Sequence, residues 1–251
     1  KVISRYGVGI DTVDLSTATE LGIVVTNTPG ANSTAVAELS LALMLDVARH
    51  VSEADREVRG GAWRRYTGVE LTRKVLGIVG TGRIGKTLAK LVKGFEMTVL
   101  CFDIMPDYVW AHEAGAVYVS LDELLVQSDF ISIHVPLVEG THHLIGEKQL
   151  ELIKSTSIVV NTSRGGIVDE KALYIALKEG RLAGAGLDVV ESEPPLESPL
   201  ARLDNVVMTS HLGANTAEAV SAMGVAASCN LVDVLQGRIP EHVVNREVLQ
   251  Q

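Results

Sequence analysis

The sequence predicts an α/β protein built on a doubly wound parallel sheet. Short, β-branched apolar runs alternate with helical patterns from Val75 onward. These runs are apolar on both faces, as strands covered by helices on both sides must be. A glycine-rich turn joins the first of them to the helix that follows.

The strands expected in order are "VLGIVG" (75–80), "MTVLCF" (97–102), a shorter "AVYV" (116–119), "DFISIHV" (129–135), "SIVVNT" (157–162), "LAGAGLDV" (182–189) and "NVVMT" (205–209). Between them lie helical segments. One starts at the glycine turn and ends at Gly94. A second opens on Ser120 with Glu123 three places on, the spacing of a capping box. A third, "DEKALYIALKEG", begins with acids and stops at Gly180. Residues 1–28 give two further strands, "KVIS" and "IVVTN", around a helical "VDLSTATELG"; two strands are too few for a stable sheet of their own. Residues 33–59 read as one long helix with apolar residues at Val36, Leu39, Leu43, Val47 and Val51, closed by Gly60 and Gly61. Its wide apolar stripe suggests a homodimer or dimer-based oligomer, the alternative being burial against its own sheet. A last helix runs from Ala214 to Gln236. The domain expectation is therefore 1–28 as part of one domain, 29–213 as a complete dinucleotide-fold domain, and 214–251 as a helix returning to the first.

The bulk composition bounds the function. The 251 residues are 47% hydrophobic and 21% charged, enough apolar material for a packed core and little for disorder. The net charge of −9 argues against a nucleic-acid partner. No unbroken apolar run reaches the length of about 18 residues that would suggest a membrane span. Two distant cysteines, Cys101 and Cys229, make no disulfide framework; with no visible signal peptide they suggest a reducing cytoplasm.

"GTGRIG" (80–85) fits G-x-G-x-x-G in the required strand-to-helix context. Gly80 allows the tight turn, Gly82 lets a pyrophosphate reach the backbone, and Gly85 lets the helix pack on the strand; free amides at the helix start face the anion. Asp103 ends the next strand, where a carboxylate accepts hydrogen bonds from a ribose diol and repels a 2′-phosphate, favouring NAD over NADP. The later strands converge on one edge. They end in His134 and Pro136, in Arg164 within "NTSRGG", in Asp188, and in His211 within "TSHLG". His134, inside an apolar run, reads as structural. A guanidinium that clamps a carboxylate and a histidine that moves a proton near neutral pH suit hydride transfer to a 2-oxo acid. The stretch "GLDVVESEPP" (186–195) reads on composition as a solvated acidic loop; a chemical alternative makes Glu193 the carboxylate beside the histidine.

These residues resemble the D-isomer-specific 2-hydroxyacid dehydrogenases, most closely the D-3-phosphoglycerate dehydrogenase branch. The resemblance rests on "GRIGKTLAKLVKGFEMTVLCFD", "VNTSRGGIVDEKAL", "GAGLDVVESEPP", "TSHLGANT", "RYGVGIDTVDL" and "NTPGANSTAVAEL". It implies a Rossmann NAD domain with remnants of a flavodoxin-like substrate domain, whose first 70 or so residues would precede Lys1. By position it implies Arg164 as substrate clamp, His211 as acid/base and Glu193, not Glu191, as its partner. It puts Arg83 and Ile84 on the pyrophosphate and Asp103 on the ribose. Val135, Pro136, Thr162, Ser163 and Gly213 would line the cofactor groove, with Asp188 on the nicotinamide amide. The amides of Val8 and Gly9 would hold the substrate carboxylate, with Arg5 and Asn32 nearby. Ser210 departs from the proline usual before the catalytic histidine. The expected partner is a small 2-hydroxy or 2-oxo acid, and serine biosynthesis the expected setting. The alternative is an NAD-binding co-repressor-like interaction module of the same fold.

Overall fold

A computed structural model describes residues 1–250. The chain divides into two compact units: Lys1–Ala35 together with the chain from Ala214 onward, and Val36–Gly213. The first opens with β1 (Val2–Ser4), α1 (Leu15–Glu20) and β2 (Val24–Thr26). Then follow α2 (Ser33–Arg49), α3 (Val51–Arg59), β3 (Val75–Val79), α4 (Arg83–Leu91), β4 (Thr98–Phe102), α5 (Tyr108–Ala114), β5 (Ala116–Tyr118), α6 (Leu121–Gln127), β6 (Phe130–Ile133), α7 (Glu147–Leu152), β7 (Ile158–Asn161), α8 (Glu170–Lys178), β8 (Gly184–Leu187) and β9 (Val206–Met208). The chain returns to the first unit through α9 (Ala217–Leu235).

The larger unit is built on a seven-stranded, wholly parallel sheet in the order β5-β4-β3-β6-β7-β8-β9. Strand order reverses between β3 and β6, which makes a crevice at their carboxyl ends. All four residues of β6, β7 and β8 are buried, so their side chains are covered on both faces. The pleat sends alternate residues to opposite layers: Ile131, Ile133 and Val159 join one cluster with Leu173, while Phe130, Ile158 and Val160 join another with Met44 and Leu76. Each of these large side chains contributes about 1.5–3 kcal/mol of burial. The capping box forms as its spacing predicts: Glu123 N donates to Ser120 Oγ at 3.3 Å and Ser120 N to Glu123 Oε2 at 3.0 Å. Cys101 is buried and free, and burial, with Asp103 nearby, pushes its thiol up to about 12.

The single helix expected over 33–59 is two. His50 takes the left-handed conformation (φ 55°) and separates α2 from α3. Asp46 reaches across the break, accepting from Ser52 N at 2.7 Å, so the new helix start is capped from the preceding turn.

In the first unit β1 and β2 pair in parallel, Val2 opposite Val24. α9 is tied to them: Ser4 Oγ donates to Ala227 O (2.7 Å), Tyr6 OH to Val220 O (3.1 Å) and Asn230 Nδ2 to Asn27 O (3.0 Å). By length and composition alone α9 is apolar enough to cross a bilayer, which a search for unbroken apolar runs misses because its alanines and valines are interspersed with Ser, Asn and Asp.

Candidate active site at the carboxyl edge of the sheet

The glycine turn leaves β3 at Gly80, whose φ of 99° and closeness to His134 (a Cβ would lie 2.8 Å from its carbonyl carbon) exclude other residues. A Cβ on Gly85 would stand 2.2 Å from Gly80 O, whereas one on Gly82 would meet nothing within 4 Å. Internal packing thus explains Gly80 and Gly85, and the open face at Gly82 is room for something from outside. α4 begins there with no side-chain cap on Gly82, and the amides of a helix's first turn have no acceptors within the helix. Asp103, at the end of β4, accepts Thr81 N (2.7 Å) and Thr81 Oγ1 (3.0 Å) on Oδ2 and Met105 N (2.9 Å) on Oδ1. Burial raises its carboxyl, but these donors outweigh it and hold the group below the usual carboxylate range. An ionised carboxylate offers about four acceptor sites, and the three donors Thr81 N, Thr81 Oγ1 and Met105 N leave room for about one ribose hydroxyl. An open phosphate cradle beside an ionised strand-end acid fits a dinucleotide with an unphosphorylated ribose.

The β6 and β7 ends are braced together. Ser163 Oγ donates to Val135 O, and within the segment after β6 Thr141 Oγ1 donates to Pro136 O at 2.5 Å. Thr162 is buried, its hydroxyl 2.8 Å from that of Ser40 on α2. Asn161, also buried, shapes the next loop: its Oδ1 accepts from Ser163 N (3.0 Å) and its Nδ2 donates to Arg164 O (2.8 Å). Arg164 is half-buried, and its Nη1 donates to Ser163 O at 2.7 Å. Gly165 then runs against the loop after β8: a Cβ there would lie 2.0 Å from Val190 O.

Asp188, only 1% exposed, ends β8 and anchors the loop after β9. Its Oδ1 accepts from Thr209 Oγ1 (2.6 Å) and Leu212 N (2.7 Å), its Oδ2 from Gly213 N (2.8 Å), and its carbonyl from His211 N (3.0 Å). This grip sets His211 in the left-handed conformation, φ 56°, a region that histidine enters more readily than most residues yet still at some cost. His211 Nδ1 lies 3.0 Å from Glu193 Oε2, with both side chains about half exposed (48% and 41%). Glu191 faces elsewhere, toward His143 and Glu170. Adjacent strands are about 4.8 Å apart, so the ends of β7 and β9, which carry Arg164 and His211, stand roughly 10 Å apart across β8. In the other unit, Arg5 Nε donates to Gly9 O (3.0 Å) and Asn27 Nδ2 to Val8 O (3.0 Å), while Gly7 takes φ 121°. Asn32 Oδ1 is buried and without a partner among the described residues.

Sequence reasoning passed over Asn161, Ser40 and Thr209. Asn161 carried a signal, since Asn two places before a loop amide is a common turn-former. The other two act through residues distant in sequence and had none.

Comparison with known proteins identifies the family of the sheet domain. The profile of the D-isomer specific 2-hydroxyacid dehydrogenase, NAD binding domain, matches residues 41–213. The chain is 47% identical to a glyoxylate reductase of Thermococcus litoralis over 99% of this chain and 78% of that protein. It is 45% identical to a D-3-phosphoglycerate dehydrogenase of Methanocaldococcus jannaschii, over 100% of this chain and 48% of that one. Among solved structures, the D-lactate dehydrogenase of Aquifex aeolicus complexed with NAD and lactic acid superposes with a TM-score of 0.90 at 34% identity, covering 98% of this chain and 80% of that one.

Proposed function

The chain belongs to the D-isomer-specific 2-hydroxyacid dehydrogenase family, an NAD-binding oxidoreductase family, and from that premise we propose that it interconverts a short D-2-hydroxy acid and its 2-oxo acid, with His211 as acid/base. The observation that carries this reading is the 3.0 Å hydrogen bond between His211 Nδ1 and Glu193 Oε2. With Nδ1–H donating to the carboxylate, Nε2 is left to exchange a proton with the substrate oxygen. Glu193 accepts from Nδ1–H and so fixes the ring orientation and the tautomer that presents Nε2. Arg164 holds the substrate carboxylate through its planar fork and, in the reductive direction, steadies the developing oxyanion. When bound, NAD supplies the hydride acceptor. Glyoxylate and the oxo form of 3-phosphoglycerate are the two substrates to assay, since relatives of both names match over essentially the whole chain.

Replacing His211→Gln should lower kcat by about 10²–10⁴-fold, the usual contribution of a positioned acid/base. NADH affinity, read by fluorescence titration, should stay within about twofold, because the cradle at 80–85 is untouched. Turnover near that of the unaltered protein on both substrates would overturn the assignment.

A further inference from the structure

Glu193 sits on a loop with few attachments. Residues 191–194 are exposed, as is Leu196 at 86%. Beyond Glu193 itself, the hydrogen bonds that tie this tip to other elements run through Glu191. Its amide donates to Glu170 Oε1 at 2.5 Å, and its own Oε1 accepts from Glu170 N (3.4 Å) and from His143 Nε2 (3.3 Å). His143 is well placed to hold it. Its amide donates to Gly166 O at 2.7 Å, two residues past Arg164, and its backbone is left-handed at φ 51°. Its ring stacks on His142 at 3.9 Å, and its Nδ1 is 3.8 Å from Asp169 Oδ2. One imidazole therefore bridges the loop bearing Arg164, to which its backbone is bonded, and the loop bearing Glu193, to which its ring is bonded. The Gly165–Val190 approach brings the same two loops together from beneath.

We propose that His143 is a positioning residue: its ring holds Glu191, and through Glu191 it fixes the loop that brings Glu193 to His211. The inference rests on the reading of His211 and Glu193 as the acid–base pair. His143 touches neither substrate nor cofactor in this scheme; its contribution is geometric, and small misplacements of a catalytic partner are expensive.

The test is a set of variants in the full-length protein, assayed for kcat and KM of both substrates. His143→Ala should lower kcat about fivefold to tenfold, the scale of coupling between residues in one hydrogen-bonded network, and leave the KM for NADH within about twofold. His143→Gln, whose amide can stand in for Nε2–H, should recover most of that loss. Glu191→Ala approaches the contact from the other side, removing the acceptor of His143 Nε2–H, and so keeps the test open if His143→Ala folds poorly; its kcat should fall in the same direction. In a Glu193→Gln background, His143→Ala should cause no further loss. A kcat unchanged by His143→Ala, or an undiminished loss in the Glu193→Gln background, overturns the proposal and leaves His211 as acid/base intact. A Glu193→Gln variant with full turnover overturns the pair and the tether together.

Discussion

His134 and His211 both follow strands of the same parallel sheet, one directly after β6 and one in the loop after β9, with opposite surroundings. The His134 ring lies where burial pushes its imidazole down to about 3. Its Nε2 is 2.9 Å from Ser132 Oγ, and its Nδ1 is buried without a partner among the described residues. His211 stands half exposed on a left-handed residue, with a carboxylate at 3.0 Å. Burial disfavours a proton on the first near neutral pH; the second is half exposed and has an acid beside it. The contrast shows that a strand-end histidine becomes chemically useful through what its neighbours build, and the builders here are Asp188, which sets the backbone, and the Gly165–Val190 approach, which sets the acid's loop.

The sharpest way to break the contrast is at Asp188. In Asp188→Asn one carboxylate oxygen becomes an amide donor facing Leu212 N, Gly213 N or Thr209 Oγ1, and at least one of these loses its acceptor. We expect a loss of about 1–3 kcal/mol in stability for the unsatisfied buried group. We also expect a fall in kcat of about 100-fold as His211 shifts from its place. Thermal melting and steady-state kinetics check both, and a variant with unchanged melting temperature and turnover would mean that Asp188 does not hold the loop. Gly165→Ala should act more gently on the chemistry. Its Cβ would press on Val190 O and push away the segment that leads to Glu193, at about 1–3 kcal/mol of overpacking and roughly tenfold in kcat. A variant with both quantities unchanged would show that the two loops are not locked together.

Much of this was legible before any coordinates. The parallel strands announced themselves because burial on both faces leaves continuous apolar runs, and the glycine turn because its spacing sits between a strand and a helix. Glu193 rather than Glu191 beside His211 came from resemblance to known dehydrogenases, since two acids two residues apart are indistinguishable by composition. The break at His50 was invisible because apolar spacing continues through it from Val47 to Val51, and periodicity does not register a single left-handed residue. α5 and α7 span seven and six residues, under two turns each, and lack the capping box that marks the equally short α6. The role of Asp188 could be read only in part. Two of its partners are backbone amides 24 and 25 residues away, which no side-chain pattern encodes, and the third is the Thr209 hydroxyl 21 residues away.

The smallest expected effect concerns the histidine that does no chemistry, and it appears in stability rather than turnover. In the unfolded chain His134 takes up a proton as pH falls through its ordinary value of 6.5, whereas in the folded protein it resists protonation down to about 3. Between those limits the unfolded state binds the extra proton, so stability falls with pH by about 1.4 kcal/mol per unit. By pH 5 the contribution reaches about 2 kcal/mol relative to pH 7, and above 6.5 it vanishes. In His134→Gln the amide keeps a donor near Ser132 Oγ but cannot titrate, so the variant should lose this acid sensitivity. Denaturant unfolding at pH 7, 6 and 5 should show the stability difference between the two proteins moving in the variant's favour by about 2 kcal/mol toward acid. A difference that stays constant with pH would mean that the His134 ring can take up its proton in place, which would narrow the distinction from His211 to one of geometry alone.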